Sequence, residues 1–220
     1  MQPDGSGPES VSSTRRRLPV AGGQAERADA ARNRIRILTA AQRLFDEHGV
    51  DAVTMDDVVA AAGVGKGTLF RRFRDKGGLA AALLDQYETE LQQRLLTGPP
   101  PLGPGAPPAE RLGAFVHAYL GYVDERLDLV QMSQTSAPGA RLRTGAHALW
   151  RRHVVVLLTA AALDRAELRA DLLLAGLAAE QVRHWLRDEH RERDQLAQDL
   201  TALALAPPVG AAAAPPRASP

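Results

Sequence analysis

The stretch TMDDVVAAAGVGKGTLFRRF, residues 54–73, decides the fold. Apolar residues in its first half recur at spacings of three and four, which predicts a short helix with one buried face. These residues are Met55, Val58, Val59 and Ala62. Gly63 ends that helix, and a second short helix from about Lys66 to Phe73 is expected to bury Leu69 and Phe73. Two short helices joined by a glycine-containing turn are typical of a helix-turn-helix.

The sequence on both sides of this motif also predicts helices. Residues 29–48 have one broad apolar face and end at Gly49. Thr54 is expected to cap the second helix, and Asp75 is expected to cap a fourth helix. That fourth helix has a leucine-rich stripe at intervals of four and ends at the Pro/Gly-rich loop 97–108. The stripe consists of Leu79, Leu83, Tyr87, Leu91 and Leu95.

The rest of the chain continues the helical pattern. Apolar periodicity predicts helices at about 109–127, 140–163, 167–187 and 190–205, with a short helix near 128–135. Strand-like alternation and hairpin turn signals are absent from the sequence, so we expect an all-α fold. The predicted units are a disordered arm (1–28), a helix-turn-helix domain (29–75), a helical domain (76–206) containing the 97–108 loop, and a disordered tail (207–220).

Composition excludes several classes of protein. Cysteine is absent, which excludes disulfides, thiolate metal sites and thiol catalysis. The arginines of STRRRLPV, residues 13–20, resemble an export signal but lack the apolar stretch that such a signal requires. The sequence has no window of about 18 consecutive apolar residues, so we expect no membrane span and a cytoplasmic location.

The formal net charge of +1 conceals a local basic cluster. The chain's two lysines, Lys66 and Lys76, flank three arginines, and Asp75 is the only acid between them. Gly67, Arg71 and Arg74 share one face of the predicted helix, which suits entry into a DNA major groove. Arg32 and Arg36 of the first helix, together with Lys76, are placed to contact phosphates. The alternative is a basic surface that only faces solvent.

Signals for catalysis are incomplete. GVGKGT suggests a phosphate-binding loop, but Gly67 stands where Ser or Thr must hold magnesium, and Ala60 replaces the first glycine. His184 and Asp188 have helical metal-ligand spacing, yet two ligands do not make a zinc site. We therefore expect no catalytic residues, no metal and no cofactor, and we expect that the protein is not an enzyme.

The segment RILTAAQRLFDEHGVDAVTMDDVVAAAGVGKGTLFRRFRDKGGLAAALL, residues 36–84, resembles the amino-terminal DNA-binding domain of the TetR family of bacterial regulators. The likeness covers about residues 32–84. It implies a homodimeric repressor with three DNA-binding helices per subunit and a larger helical domain that binds an inducer and dimerises. By this resemblance, Thr54, Phe70 and Lys76 occupy phosphate-contacting positions. The recognition helix and its entry correspond to Gly65, Lys66, Gly67, Thr68 and Arg71.

The sequence departs from the family pattern in three places. Gly65 replaces a serine that caps the recognition helix, and Phe70 replaces a tyrosine whose hydroxyl contacts phosphate. Gly77 and Gly78 stand where an acidic residue is common, and each is expected to weaken the first turn of the fourth helix by about 1 kcal/mol relative to alanine. We hypothesise that this loosened turn alters how inducer binding reaches the DNA-binding helices.

The carboxy-terminal domain offers weaker signals. The candidates for an inducer pocket are Phe115, Tyr119, Tyr122, Trp150 and His153, with Met132, Arg141, His117 and His147 as further candidates. Core packing is the alternative role for the aromatic residues. The last two long helices carry apolar stripes that predict a four-helix dimer interface, with intramolecular packing as the alternative. The stripes are Leu168, Leu172, Ala175, Ala179, Val182 and Leu186, and Leu196, Leu200 and Leu203.

These patterns together predict a ligand-responsive transcriptional regulator. We expect a homodimeric repressor that binds double-stranded, palindromic operator DNA and is released by a small-molecule effector. Two other classes stay open at this stage. One is a nonspecific nucleoid-type DNA binder, and the other is a helical enzyme or carrier with an incidental basic patch.

Overall fold

The computed structural model describes residues 21–207, and every regular element in that range is helical. The all-α prediction is therefore confirmed. The α-helices are α1 (Ala21–His48), α2 (Met55–Ala62), α3 (Lys66–Phe73), α4 (Lys76–Thr97), α5 (Pro108–Glu125), α6 (Leu127–Thr135), α7 (Gly145–Ala160), α8 (Ala166–Gly176), α9 (Ala179–Arg183) and α10 (Arg193–Leu205). A 3-10 turn (Arg141–Arg143) precedes α7, and a π turn (His184–Asp188) continues α9.

The first helix begins at Ala21, earlier than the predicted start at residue 29. The prediction relied on apolar periodicity, which begins only near Ile37, the first fully buried residue of α1. Residues 26–32 are almost all exposed, so this part of the helix has no buried face to mark it in the sequence. The remainder of the predicted arm, residues 1–20, and residues 208–220 of the predicted tail lie outside the described residues.

Helices α1 to α3 pack around a small core as the sequence predicts. Ile37, Ala41 and Phe45 of α1 are buried together with Leu69 and Phe73 of α3. Helix α1 packs against α2 and α4, and α3 packs against α4. Burial of Leu69 and Phe73 stabilises the fold by about 1.5–3 kcal/mol per side chain, which fixes α3 on the domain with its opposite face in solvent.

Local capping contacts hold the helix-turn-helix in register. Thr54 accepts a hydrogen bond from the amide of Asp57 at 3.2 Å, and the Asp57 carboxylate accepts one from the Thr54 amide at 2.8 Å. This is a capping box, and its hydrogen bonds from Thr54 lower the pKa of the Asp57 carboxyl. Gly63 ends α2 with φ of 60°, a left-handed conformation that favours glycine.

The remaining helices form a second bundle. Helix α4 packs along α6, while α5 lies against α7 and α10, and α7 packs on α8. The predicted helix at 140–163 is interrupted because Thr144 caps α7, accepting a hydrogen bond from the amide of His147 at 3.0 Å. The predicted helix at 167–187 breaks after Gly176, where the Trp185 ring lies 3.5 Å from the position of an added Cβ.

Gly77 and Gly78 have a packing role that the sequence did not reveal. A Cβ on Gly77 would lie 2.1 Å from the Cβ of Ser136, at the end of α6, and a Cβ on Gly78 would lie 2.0 Å from the carbonyl oxygen of Phe73. Asp75 caps this turn by accepting a hydrogen bond from the Gly78 amide at 2.7 Å. The expectation that alanine would strengthen this turn is therefore wrong, since its Cβ would overlap neighbouring atoms.

We predict that Gly78→Ala lowers the free energy of unfolding by about 1–3 kcal/mol because the Phe73 carbonyl must move. Gly67→Ala, the control, should raise it by about 0.5–1 kcal/mol, because Gly67 is helical and has no atom within 4 Å of an added Cβ. Urea denaturation of both variants measures the difference. Equal effects of the two substitutions would contradict the steric role of Gly78.

Candidate functional site

Helix α3 presents a basic face to solvent. Its apolar side is buried in the core, where Leu69 is 0% exposed and Phe73 is 4% exposed. Gly67, Arg71 and Arg74 lie on the exposed side, as the sequence predicts. Gly67 has open space above its Cα, so a groove edge can approach the helix backbone closely. The helix can therefore present guanidinium groups to another molecule without losing its packing.

The cations of this face differ in their partners. Lys66 forms an ion pair with Asp56 of α2 at 2.8 Å, and its Nζ lies 5.7 Å from the centre of the exposed Phe70 ring. In the described part of the chain, the side chains of Arg71 and Arg74 form no ion pair or hydrogen bond. These two guanidinium groups are thus available to phosphates or base edges.

The other predicted contact residues lie in α3 or at the starts of helices. Thr54 is exposed at the start of α2, and Gly65 begins α3 in an extended conformation without a side-chain cap. Thr68 is half-buried. Lys76 lies at the start of α4 and donates a hydrogen bond to the carbonyl of Asp51 at 3.2 Å. These residues are therefore grouped in α3 and at the starts of α2 and α4, and Lys66 and Lys76 also have contacts within the protein.

Arginines of α1 and α3 connect the helices to each other. Arg36 donates to the carbonyl of Gly63 in the turn at 2.8 Å, and Arg32 pairs with Asp29. Arg72, which the sequence did not single out, donates to the carbonyl of Ala30 at 3.0 Å. Arg36 and Arg72 thus stabilise the packing of the DNA-binding helices. This role depends on contacts with residues distant in sequence, so no local sequence pattern indicated it.

Arg74 joins α3 to α4 through a strained backbone. Its φ of 64° and ψ of −58° are typical of a γ-turn, and the amide of Asp75 donates to the carbonyl of Phe73 at 2.7 Å. This conformation is costly for a residue with a Cβ, by about 1–3 kcal/mol. The chain therefore carries an arginine, with its free guanidinium, at a position where glycine would be less strained.

The predicted inducer-pocket residues form a buried aromatic cluster in the second bundle. Phe115, Tyr119, Tyr122 and Trp150 are all buried, and the rings of Phe115 and Trp150 lie 6.2 Å apart. The His153 ring is tilted against that of Phe115, at 5.5 Å between ring centres, and burial lowers the pKa of His153 to about 4. Phe115 and His153 belong to the core side of this cluster and do not line the cavity beside it.

That cavity lies between α4, α5, α6 and α7. Tyr119, Tyr122 and Trp150 line it, together with His147 and Arg141, two of the predicted polar candidates. Its remaining walls were missed: Leu84, Glu88, Val130, Ser133, Gln134 and Thr144. Glu88 had no signal in the sequence, because the apolar stripe predicted for this helix runs through Leu83 and Tyr87, and the burial of Leu84 one turn before Glu88 is a feature of the structure.

The predicted dimer stripes are divided between the surface and the core. Leu168, Leu172 and Leu203 are 53%, 65% and 71% exposed. Ala179, Val182, Leu186 and Leu196 are buried within the subunit, so intramolecular packing accounts for these members of the stripes. Helices α8 and α10, which carry the exposed leucines, contact each other.

No helix between residues 21 and 207 combines the length and the apolar character needed to cross a membrane. The same part of the chain has no group of three or more His, Asp or Glu side chains arranged to hold a metal ion.

Comparison with known proteins identifies the amino-terminal unit. Residues 37–83 match the family described as "Bacterial regulatory proteins, tetR family". The amino-terminal unit is therefore similar to the tetR family over these residues. A helix-turn-helix transcriptional regulator of Staphylococcus aureus strain USA300 is 47% identical over 71 residues, which cover 30% of this chain. The chain spans 38% of the length of that relative.

Solved structures extend the likeness in fold to most of the chain. Thermus thermophilus FadR, a TetR-family transcriptional repressor in complex with lauroyl-CoA, is 19% identical with a TM-score of 0.60, and the match covers 85% of this chain and 99% of FadR. A TetR-like regulator from Rhodococcus sp. RHA1 is 23% identical with a TM-score of 0.54, covering 86% of this chain and 96% of that protein. The all-α two-bundle architecture is thus that of TetR-family proteins.

We predict that Arg74→Gly raises the free energy of unfolding by about 1 kcal/mol, since glycine relieves the γ-turn strain, yet weakens DNA binding. The DNA is a duplex selected from a random pool by the wild-type protein, and fluorescence anisotropy at several salt concentrations measures its affinity. Arg165→Gly is the matched control, because Arg165 also has a positive φ, of 53°, but lies in the second bundle.

The control should gain stability and keep wild-type DNA affinity. If Arg74→Gly also keeps wild-type affinity and salt dependence, Arg74 does not contact DNA.

Proposed function

We propose that this protein is a ligand-responsive transcriptional regulator that binds operator DNA as a homodimer and represses transcription. The observation that carries the proposal is the exposed basic face of α3, which stands on a helix whose other face is buried in a TetR-family domain. Its free Arg71 and Arg74 supply the charge and the planar donors that phosphates and guanine edges accept. A cytoplasmic location is part of the proposal.

The proposal requires the predicted contact residues to differ in their roles. Arg71, near the middle of the exposed face, is assigned to the major groove, while Arg74 and Lys76 at the junction with α4 are assigned to the phosphate backbone. Gly67 permits close approach of the helix to the base edges. Thr54 and Phe70 border this surface, and Lys66 is held beside Phe70 by Asp56.

We expect Arg71→Ala to weaken binding to the selected duplex by about 1–3 kcal/mol, since a bidentate contact to a base would be lost. Mobility shifts at fixed salt measure this. Arg43→Ala is the charge-matched control, because Arg43 lies on α1 and pairs with Glu47 at 2.8 Å. Equal losses for both variants would show that α3 does not read DNA.

The same experiment separates a specific regulator from a nonspecific DNA binder. A regulator binds the selected duplex far more tightly than a scrambled duplex, by a factor of about 10³ or more. A ratio near one would support the nucleoid-type alternative.

The dimer is assigned to the apolar surface of α8 and α10. Leu168, Leu172 and Leu203 are each more than half exposed, and they lie on two helices that contact each other. Large apolar side chains grouped at the surface are typical of protein interfaces. A second copy would form a four-helix bundle with α8 and α10 of the first copy. A symmetric pair also supplies two recognition helices, which fits half-sites one helical turn apart.

We predict that Leu172→Glu converts the dimer to a monomer, because it places two carboxylates in the apolar interface. Sedimentation equilibrium measures the mass. Leu142→Glu is the control, since Leu142 is 60% exposed on the 3-10 turn, away from α8 and α10. If Leu172→Glu stays dimeric, the interface lies elsewhere.

The cavity between α4 and α7 is assigned to the effector. Helix α6 contributes Val130, Ser133 and Gln134 to its wall, and the end of the same helix packs on Gly77 at the start of α4. A ligand that displaces α6 therefore acts on the helix that follows the recognition helix directly. The close contact at Gly77, rather than a loosened helix start, supports coupling between the two bundles.

A further inference from the structure

The effector cavity contains an acid and a base that do not pair with each other. Glu88 of α4 and Arg141 of the 3-10 turn both line it, and both are half-buried. Glu88 accepts a hydrogen bond from the Tyr122 hydroxyl at 3.1 Å, and Arg141 donates one to the carbonyl of Leu174 at 3.0 Å. Between residues 26 and 207, neither side chain takes part in an ion pair.

A half-buried charge without an ion-pair partner is stabilised when a counter-ion binds beside it. Removing a charge from water without a partner is costly, and the cost is recovered only when an opposite charge and further hydrogen bonds are supplied. Burial raises the pKa of Glu88, and the hydrogen bond from Tyr122 only partly opposes this effect. The Arg141 guanidinium at the same cavity has one neutral acceptor, the carbonyl of Leu174, and no ion pair among the described residues.

The two charges lie around one aromatic side chain. Burial raises the pKa of Tyr119, the Glu88 carboxylate raises it further, and the Arg141 guanidinium lowers it. The Tyr119 ring lies 5.8 Å from the ring of Tyr122 and 6.0 Å from that of Trp150, in edge-to-face arrangements. The cavity thus combines one negative group, one positive group and three aromatic walls.

The geometry points to a small zwitterion that carries an aromatic ring as the ligand of this cavity. Its ammonium group faces Glu88, its carboxylate faces Arg141, and its ring packs among Tyr119, Tyr122 and Trp150. A ligand with one charge would satisfy one wall and leave the other without a partner. This inference rests on the proposed role of the cavity as the effector site.

Entry of the ligand requires one wall to move. The enclosed space is about 20 Å³, room for a single water. The segment 136–144, which carries Arg141, contains no buried residue and includes Leu142 at 60% exposure. It loses the least packing on moving outward, so we assign the opening to this segment.

Three probes with the same phenylethyl skeleton test the charge requirement: L-phenylalanine, 3-phenylpropionate and 2-phenylethylamine. The full chain with Trp185→Phe is titrated without DNA, so that Trp150 is the remaining tryptophan and reports binding by fluorescence. We expect phenylalanine to bind at least about tenfold more tightly than either singly charged probe, the gain from one charge-assisted hydrogen-bond pair.

Variants then assign each charge to its wall. Glu88→Gln should weaken phenylalanine binding about tenfold and leave the affinity for 3-phenylpropionate unchanged. Arg141→Gln should also weaken phenylalanine binding about tenfold, but it should leave the affinity for 2-phenylethylamine unchanged. Glu90→Gln is the control, because Glu90 is exposed on the same helix and does not line this cavity. Thermal melting confirms that each variant is folded.

The inference is overturned if no probe saturates the signal up to 20 mM, roughly the range of millimolar affinity, if the three probes bind equally, or if Glu88→Gln behaves like Glu90→Gln. DNA binding by wild type and by Arg71→Ala is measured separately. If Arg71→Ala binds DNA as tightly as wild type while the probes behave as expected, the proposed DNA-binding function is refuted. If the DNA result is as expected but the probe titration fails, only the zwitterionic ligand is refuted.

Discussion

Burial of Leu69 and Phe73 is the constraint on which the amino-terminal domain depends. A helix of eight residues is too short to be stable in water by itself, so α3 exists because these two side chains fix it to α1 and α4. The same burial turns the arginines outward. Phe73 also determines the connection to α4. Its carbonyl accepts a hydrogen bond from the Asp75 amide and lies so close to position 78 that only a glycine fits there. Packing, strain and capping are thus concentrated within six consecutive residues.

This junction explains why a basic face and a tight helix connection occur together. The γ-turn at Arg74 allows α4 to begin directly after α3, and Asp75 caps α4 without an intervening loop. Movement of α4 is therefore transmitted directly to α3, because no flexible loop separates the two helices. The contact of α6 with Gly77 adds the second bundle to the same connection.

Elements with local signals could be predicted from the sequence. The bounds of α2 and α3, the Thr54 and Asp75 caps and the end at Gly63 all depend on residues within one or two helical turns. The start of α1 could not be found, since its first turns bury nothing and so lack apolar periodicity. The steric need for Gly77 also escaped prediction, because Ser136 is distant in sequence and a glycine run looks like flexibility.

The candidate site shows the same division. The exposed face of α3 follows from helical geometry and was predicted, whereas the contacts of Arg36 and Arg72 depend on tertiary structure. In the second bundle, aromatic composition pointed to Tyr119, Tyr122 and Trp150, but only packing shows which of them reach the cavity. Glu88 and Arg141 acquire meaning only when α4 and the 3-10 turn are brought together.

The small size of the cavity has a consequence for how the regulator would be tuned. If ligand binds only after segment 136–144 moves outward, the measured affinity is the intrinsic affinity reduced by the fraction of molecules that are open. Substitutions in this segment that never touch the ligand then shift the concentration at which the protein responds. Sensitivity and chemical selectivity are set by different residues, so each can change during evolution while the other is retained.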